Sequence, residues 1–217
     1  MTKTGPSEGT VMWSRYLALG DSVTEGVGDD VDDLTCRSWA DWLADGLRQA
    51  QPELEYRNIA KRGATCATVL RTQVPEIELF GPDLVSVTIG GNDARVREWT
   101  PDAFETELTS ILEAVAASGA QAVTATYADV EDVIARAGGT IRESWRLYFA
   151  RMHEVNAVIR KVSVLQGACL VDMESGAASD ARYLSRDFTH PNALAYRMIG
   201  RVALECLGDL GGIGDAR

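Results

Sequence analysis

The sequence lacks several features that would each point to a particular kind of function. It holds only two histidines, His153 and His190, and its four cysteines form no CxxC pair. A zinc site is therefore not expected, because such sites need clustered cysteine or histidine ligands. No apolar run approaches the roughly 18 residues that a membrane-spanning helix needs, so no span is predicted. Any reaction that requires a histidine must use one of these two.

Positive charge is also scarce, with 21 Lys and Arg against 32 Asp and Glu and a net charge of −11 at pH 7. An acidic surface repels the phosphates of nucleic acids and anionic lipid headgroups, so neither is expected as a partner. The first residues lack the apolar core of a signal peptide, and we expect a cytoplasmic protein. In a reducing compartment its cysteines are expected to be small core thiols rather than disulfides. They are Cys36, Cys66, Cys169 and Cys206.

With 217 residues, the chain has the length of a single globular domain. We expect a disordered tail over residues 1–14 and one domain over residues 15–210. Apolar strand-type runs alternate with helical patterns, which favours a parallel sheet covered by helices on both faces. The fold class predicted is thus α/β, a three-layer α/β/α sandwich. Its five strands are expected at residues 16–19, 54–59, 84–89, 120–126 and 169–171.

Four helices are marked by capping residues or by apolar periodicity. Ser38 is a candidate N-cap for a helix whose apolar residues share one face. Thr100 precedes Pro101, which suits the first position of a helix reaching about residue 118. A long helix is expected over about residues 143–166, and a last one over about residues 193–207.

Ligands of parallel sheets bind at the carboxyl ends of the strands, so the loops there are the first candidates for a site. After the first strand, a turn that begins at Gly20 places Ser22 at its tip, as a nucleophile or as a helix N-cap. After the second strand, Gly63 would let a backbone N–H approach a ligand oxygen closely. It could equally be an ordinary turn glycine ahead of an N-cap at Thr65.

Two further loops carry polar residues of the kind that acyl chemistry uses. Asn92 follows two glycines after the third strand, and its neutral amide could stabilise a negative oxygen or form an Asx-turn. Asp187 and His190 are three residues apart, so the carboxylate could hold one ring nitrogen while the other acts as a base. The alternative is a loop histidine beside a helix-capping aspartate. His153 lies in a charged helix and is expected to be a surface residue.

These residues acquire a joint meaning because their loops share one edge of the predicted sheet. Ser22 supplies a nucleophile, His190 a base and Asp187 the group that orients it. Gly63 and Asn92 supply donors for an oxyanion. Together they cover every role of serine acyl transfer.

The arrangement resembles the SGNH hydrolase superfamily, also called GDSL esterases and lipases. Four short blocks occur in the family's order: Gly-Asp-Ser at residues 20–22, Gly63, Gly-x-Asn-Asp at residues 90–93, and Asp187-x-x-His190. The fourth residue of the first block is Val23, where the family name expects leucine. Many relatives have a second histidine shortly after the one that corresponds to His190, and this sequence does not.

The resemblance implies a flavodoxin-like fold and a triad of Ser22, His190 and Asp187. It also implies an oxyanion hole made of the Ser22 and Gly63 N–H groups and the Asn92 side chain, with no metal and no organic cofactor. The expected activity is hydrolysis of a small-molecule carboxylic ester through an acyl-enzyme, with a small acyl group such as acetyl.

Two other functions stay open at this point. One is acyl transfer by the same triad to an alcohol or amine. The other is a non-catalytic or flavin-binding module, which the loop at residues 20–26 disfavours because its two acidic residues would repel a phosphate. Trp99, Tyr127 and Trp145 are candidates for the wall of the substrate crevice, although aromatic residues also belong to cores.

Overall fold

A computed structural model describes residues 13–136, 141–174 and 180–211. In these residues five parallel strands form one sheet in the order β2-β1-β3-β4-β5. The strands are β1 Arg15–Gly20, β2 Glu55–Asn58, β3 Leu84–Thr88, β4 Gln121–Ala125 and β5 Cys169–Val171. The predicted five-stranded parallel α/β fold is therefore confirmed.

Helices connect the strands and cover the sheet. They are α1 Ser22–Glu25, α2 Trp39–Arg48, α3 Cys66–Thr72, α4 Pro75–Phe80, α5 Pro101–Ala117, α6 Val130–Arg136, α7 Glu143–Leu165 and α8 Ala193–Gly211. Short 3₁₀ turns cover Asp93–Arg95 and Ala181–Tyr183. Among the described helices, none combines the length and the apolar character needed to cross a membrane.

Alternation along β1 shows why the sheet is covered on both faces. Tyr16 and Ala18 belong to one buried cluster, packed against α2 and α8, whereas Leu17 and Leu19 belong to the other, packed against α3, α4, α5 and α7. Successive side chains of a strand point to opposite faces, so a strand without polar positions needs two cores. The result is the three-layer sandwich, with the carboxyl ends of β1 and β3 in its middle.

Local signals fix where several helices begin. The Ser38 hydroxyl accepts from the Ala40 N–H and forms a capping box with Asp41 at the start of α2. Thr100 caps α5, whose first residue is Pro101. Both starts were expected, because capping residues act on the backbone only two or three residues away.

The structure differs from expectation at the cysteines. Cys169 of β5 and Cys206 of α8 form a disulfide, where reduced thiols were expected. The reason is positional: β5 and α8 pack together and bring the two Cα atoms to 6.2 Å, within the span of a disulfide. Cys36 and Cys66 are free thiols, and Cys66 is fully buried.

The N-terminal expectation falls largely on residues 1–12, which lie outside the described residues. Trp13 and Ser14, assigned to the same tail, contact the domain. Trp13 is buried, and both the N–H and the hydroxyl of Ser14 donate to Asp83.

Candidate active site

The turn after β1 presents Ser22. Gly20 adopts φ +136°, and a Cβ there would lie 2.3 Å from the Thr88 carbonyl oxygen, so only glycine fits beside β3. The Asp21 carboxylate then accepts from the Val23 N–H at 2.9 Å and caps α1. Ser22 is thereby the first residue of α1, and it is buried.

A glutamine side chain forms two hydrogen bonds with the backbone of the turn after β1. Gln73, just past the end of α3, accepts from the Gly20 N–H through Oε1 at 2.8 Å. Its Nε2 donates to the Gly20 carbonyl at 2.9 Å. Gln73 is buried, so neither bond faces competition from water. The backbone ahead of Ser22 is therefore fixed on both its donor and its acceptor side.

The loop before α8 brings a histidine to Ser22. His190 Nε2 lies 2.8 Å from Ser22 Oγ, and His190 Nδ1 lies 2.6 Å from Asp187 Oδ2. Burial alone would raise the pKa of the Asp187 carboxyl, but hydrogen bonds from His190 and Thr189 outweigh it and leave that pKa below the usual value. An ionised carboxylate can only accept, so Nδ1 carries the proton and Nε2 is left to accept from the serine hydroxyl.

The histidine loop is tied to the body of the domain. Ser185 Oγ donates to the Pro191 carbonyl at 3.0 Å and accepts from the Asp29 N–H at 2.9 Å. The side-chain oxygen Oδ1 of Asn192 accepts from the first N–H groups of α8, and its side-chain nitrogen Nδ2 donates to the Arg182 and Leu184 carbonyls. These hydrogen bonds fix the position of the loop that carries His190 relative to the carboxyl ends of the strands.

The cleft that holds Ser22 and His190 is also bordered by three potential hydrogen-bond donors: the N–H groups of Ser22 and Gly63 and the side-chain amide of Asn92. Asn92 Nδ2 donates to the Ala64 carbonyl at 2.9 Å, which aims the amide, and its other contact is Asp21 Oδ2 at 3.4 Å. Gly63 adopts φ +82°, in the left-handed region. Within the described part of the chain, the N–H groups of Ser22 and Gly63 donate to no acceptor. These two N–H groups are thus free to bind an oxygen in the cleft.

The Asp21 carboxyl is buried at the edge of the cleft. Burial raises the pKa of the Asp21 carboxyl to about 7, with hydrogen bonds from Val23 and Tyr127 opposing that rise. The Tyr127 hydroxyl donates to Asp21 Oδ2 at 3.3 Å and accepts from the Gly91 N–H at 3.3 Å. The sequence places Asp21 in the Gly-Asp-Ser block but does not indicate its burial or its contact with Tyr127, which is distant in sequence.

One group of described residues has the donor atoms of a metal site. Atoms of Cys66, Asp93 and Glu107 lie within 4.8 Å of one another behind Asn92. Asp93 Oδ1 already accepts from the Cys66 N–H at 2.9 Å. Burial raises the pKa of both the Cys66 thiol and the Asp93 carboxyl, which favours their protonated forms, whereas metal ligands must be deprotonated. The cluster therefore fits a packing contact better than a metal centre.

The structure also locates the remaining candidates. Tyr127 and Trp145 line cavities at the carboxyl edge of the sheet. Trp99, in the segment that connects β3 to α5, packs against the hydrophobic core instead. His153 is half exposed, and its Nδ1 lies 2.7 Å from Glu174. It is separate from the pair formed by Ser22 and His190.

Comparisons with known proteins identify a family and several similar structures. The model of the GDSL-like Lipase/Acylhydrolase family matches residues 18–198. A GDSL-like lipase candidate from Parabacteroides merdae is 21% identical with a TM-score of 0.73, covering 94% of this chain and 99% of its own. No curated protein matches the sequence.

Two further solved structures share the fold. The psychrotrophic esterase EstA from Pseudoalteromonas sp. is 19% identical with a TM-score of 0.66, covering 91% of this chain and 98% of its own. A catalytic mutant of Axe2, an acetylxylan esterase from Geobacillus stearothermophilus, is 17% identical with a TM-score of 0.69, covering 90% and 94%.

Proposed function

The chain belongs to the GDSL-like lipase/acylhydrolase family and is a carboxylic ester hydrolase, and on that premise we propose that Ser22, His190 and Asp187 are its catalytic triad. The observation that carries the proposal is the unbroken chain of contacts, 2.8 Å from Ser22 Oγ to His190 Nε2 and 2.6 Å from His190 Nδ1 to Asp187. Distances of this size permit direct proton transfer.

The reaction proceeds through two displacements. Ser22 Oγ attacks the ester carbonyl carbon while His190 Nε2 takes the hydroxyl proton, and the Asp187 carboxylate stabilises the resulting imidazolium. The tetrahedral intermediate collapses, the carbon–oxygen bond of the ester breaks, and His190 returns the proton to the departing alcohol. A water molecule then attacks the acyl-enzyme with His190 again as base. This second step releases the carboxylic acid and restores the Ser22 hydroxyl.

The negative oxygen of each tetrahedral intermediate needs preorganised donors. We assign this role to the N–H groups of Ser22 and Gly63 and to the Asn92 amide. The two N–H groups have no other acceptor among the described residues, and Asn92 is aimed by its bond to Ala64. All three are neutral, so they stabilise developing charge without changing protonation state.

The triad does not choose the acyl group. A small acyl group such as acetyl was expected from the sequence, and one structural neighbour is an acetylxylan esterase, at 17% identity. The attacking and oxyanion-binding atoms act alike on any acyl group, so selection depends on the space beside Ser22.

The test is labelling with a fluorophosphonate, followed by intact-mass measurement and peptide mapping. EstA is known in a form inhibited by monoethylphosphonate, which makes this class of reagent suitable. We expect one adduct on Ser22 of the wild type, none on Ser22→Ala, and strongly slowed labelling of His190→Ala. Ser110→Ala, on α5 away from the cleft, is the matched control and should label like the wild type.

Two outcomes contradict the assignment. Unchanged labelling or unchanged ester hydrolysis by Ser22→Ala would place the nucleophile elsewhere. Absence of an adduct on the wild type would mean that Ser22 is not activated. Product analysis with an added alcohol distinguishes hydrolysis from acyl transfer, because transfer yields a new ester in place of the free acid.

A further inference from the structure

Two arginines border the catalytic cleft. Arg62 directly precedes Gly63, and Arg95 ends the 3₁₀ turn that follows Asn92. Both arginines line the cleft that holds Ser22. The loops that supply the oxyanion donors therefore also place two positive charges at the opening in which an ester must bind.

The Arg95 guanidinium is held by aromatic side chains of α7. Its central carbon lies 4.7 Å from the centroid of the Tyr148 ring and 5.8 Å from that of the Trp145 ring. Burial raises the pKa of the Tyr148 hydroxyl, and the positive charge of Arg95 opposes that rise. A guanidinium whose face covers a ring keeps N–H groups at its edge, where they can bind a carboxylate.

The charge of the two arginines is not cancelled by neighbouring acids. Within the described part of the chain, neither Arg62 nor Arg95 forms an ion pair with a carboxylate. Glu25 accepts from the Arg62 N–H, but its own charge is matched by Lys61 Nζ at 3.3 Å. Asp21 lines the cleft, and burial raises its pKa to about 7, so it is partly protonated at neutral pH. The cleft is therefore locally positive, in a chain of net charge −11.

We propose that Arg62 and Arg95 bind a carboxylate group of the substrate, so that the enzyme prefers esters that carry a negative charge near the scissile bond. The inference rests on the proposed role of Ser22. Guanidinium N–H groups match the two oxygens of a carboxylate and bind it through charge-assisted hydrogen bonds. A cleft lined by one sign of charge also concentrates substrates of the opposite sign. The net charge of −11 would repel a dianionic phosphate more strongly than a carboxylate.

The cavity that adjoins the cleft is less suited to a negative group. Asp129 and Glu174 line it, together with His153. Glu174 pairs with His153 and Arg160, whereas Asp129 accepts from the Asp132 N–H at the start of α6. A substrate carboxylate in this cavity would face the Asp129 carboxylate and lose its hydration without gaining a cation from the lining. The charges therefore favour the cleft with its two arginines over the adjoining cavity.

The test compares esters that differ by one charge, with rates corrected for uncatalysed hydrolysis. The acyl arm pairs mono-p-nitrophenyl glutarate with its methyl ester, and the alcohol arm pairs p-acetoxybenzoate with its methyl ester. We expect kcat/KM of the charged member to exceed that of the neutral member by about tenfold in at least one arm. The arm that shows this preference identifies the side of the ester that carries the charge. Added salt should weaken the preference, because it screens exposed charges.

Substitution of either arginine should reduce this preference. Arg62→Gln and Arg95→Gln should each lower the charged-to-neutral ratio of kcat/KM by about three- to tenfold, because a charge-assisted hydrogen bond is lost. Arg95→Lys should restore part of the ratio, since it keeps the positive charge. Arg71→Gln is the matched control and should keep the wild-type ratio, because Arg71 is an exposed residue of α3 that lines neither cavity.

A binding measurement gives a readout that does not need turnover. In calorimetry, Ser22→Ala should bind monomethyl glutarate more tightly than dimethyl glutarate, and the reverse order would contradict the proposal. Equal kcat/KM values within both ester pairs, or a ratio that neither arginine substitution lowers, would overturn it and leave the triad standing. Failure of the triad has a different signature, namely no phosphonate adduct on Ser22 and no hydrolysis of either member of a pair.

Discussion

The buried Asp21 carboxyl gives the structure a pH-dependent stability that one substitution should remove. Asp21 is almost fully buried, and burial raises its pKa from 3.8 to about 7. Asp21→Asn keeps the shape of the side chain and an oxygen for the Val23 N–H. It also replaces Oδ2, which accepts from the Tyr127 hydroxyl and lies near Asn92 Nδ2, by an NH₂ group, so the comparison uses the change in stability with pH and not the absolute stability.

The sign follows from which state binds the proton. Between pH 3.8 and about 7 the folded protein keeps the Asp21 proton that the unfolded chain has lost. Rising pH therefore lowers the free energy of unfolding, by about 1.4 kcal/mol per pH unit in this window. The full effect is about 4 kcal/mol, of which about 2 kcal/mol falls between about pH 5.5 and 8.5.

The assay is urea unfolding of wild type and Asp21→Asn at several pH values across that range, followed by tryptophan fluorescence. The variant should gain about 2 kcal/mol relative to the wild type as pH rises, or about 4–8 °C in Tm. Carboxyls with lowered pKa values, such as Asp187, stay ionised in the folded and the unfolded chain across this pH range and add no slope. Asp33→Asn, an exposed aspartate, is the control and should run parallel to the wild type. Parallel curves for Asp21→Asn would refute the reasoning.

Three further predictions concern the site. Asn92→Ala should lower kcat by about 10²–10³-fold with little change in KM, measured by steady-state kinetics, because one oxyanion donor is lost. Asp187→Asn should lower kcat by about 10³–10⁴-fold, because the amide neither holds the reactive His190 tautomer nor stabilises the imidazolium; retention of full activity would exclude the triad. Gln73→Ala should lower the free energy of unfolding by about 1–3 kcal/mol in urea titration, because the Gly20 N–H loses its buried acceptor; an unchanged value would show that water replaces Gln73.

The parts of the fold that sequence reasoning reached are those with local causes. The run that forms β3 was recognisable from its β-branched residues and the two glycines that end it, and α5 from Thr100 and Pro101. The proximity of Ser22 and His190, 168 residues apart, could be anticipated because all strands are parallel and their carboxyl ends share one edge.

The features that it missed depend on contacts between distant segments. Gln73 meets Gly20 across 53 residues, and Tyr127 meets Asp21 across 106. Nothing within either segment marks its partner, because a glutamine after a helix or a tyrosine after a strand suits many surroundings. The disulfide was missed for the same reason, since only the packing of α8 on β5 brings its two cysteines together.

The two bonds between Gln73 and Gly20 also bear on how the active-site backbone exchanges hydrogen with solvent. Amides at the end of a strand usually exchange through small local openings. The Gly20 N–H, at the last residue of β1, instead has a buried acceptor that belongs to another element. Its exchange requires the buried Gln73 side chain to move away from the Gly20 backbone, so we expect this amide to exchange slowly for the end of a strand. Hydrogen exchange at Gly20 therefore reports on how firmly Gln73 holds the backbone that leads to Ser22.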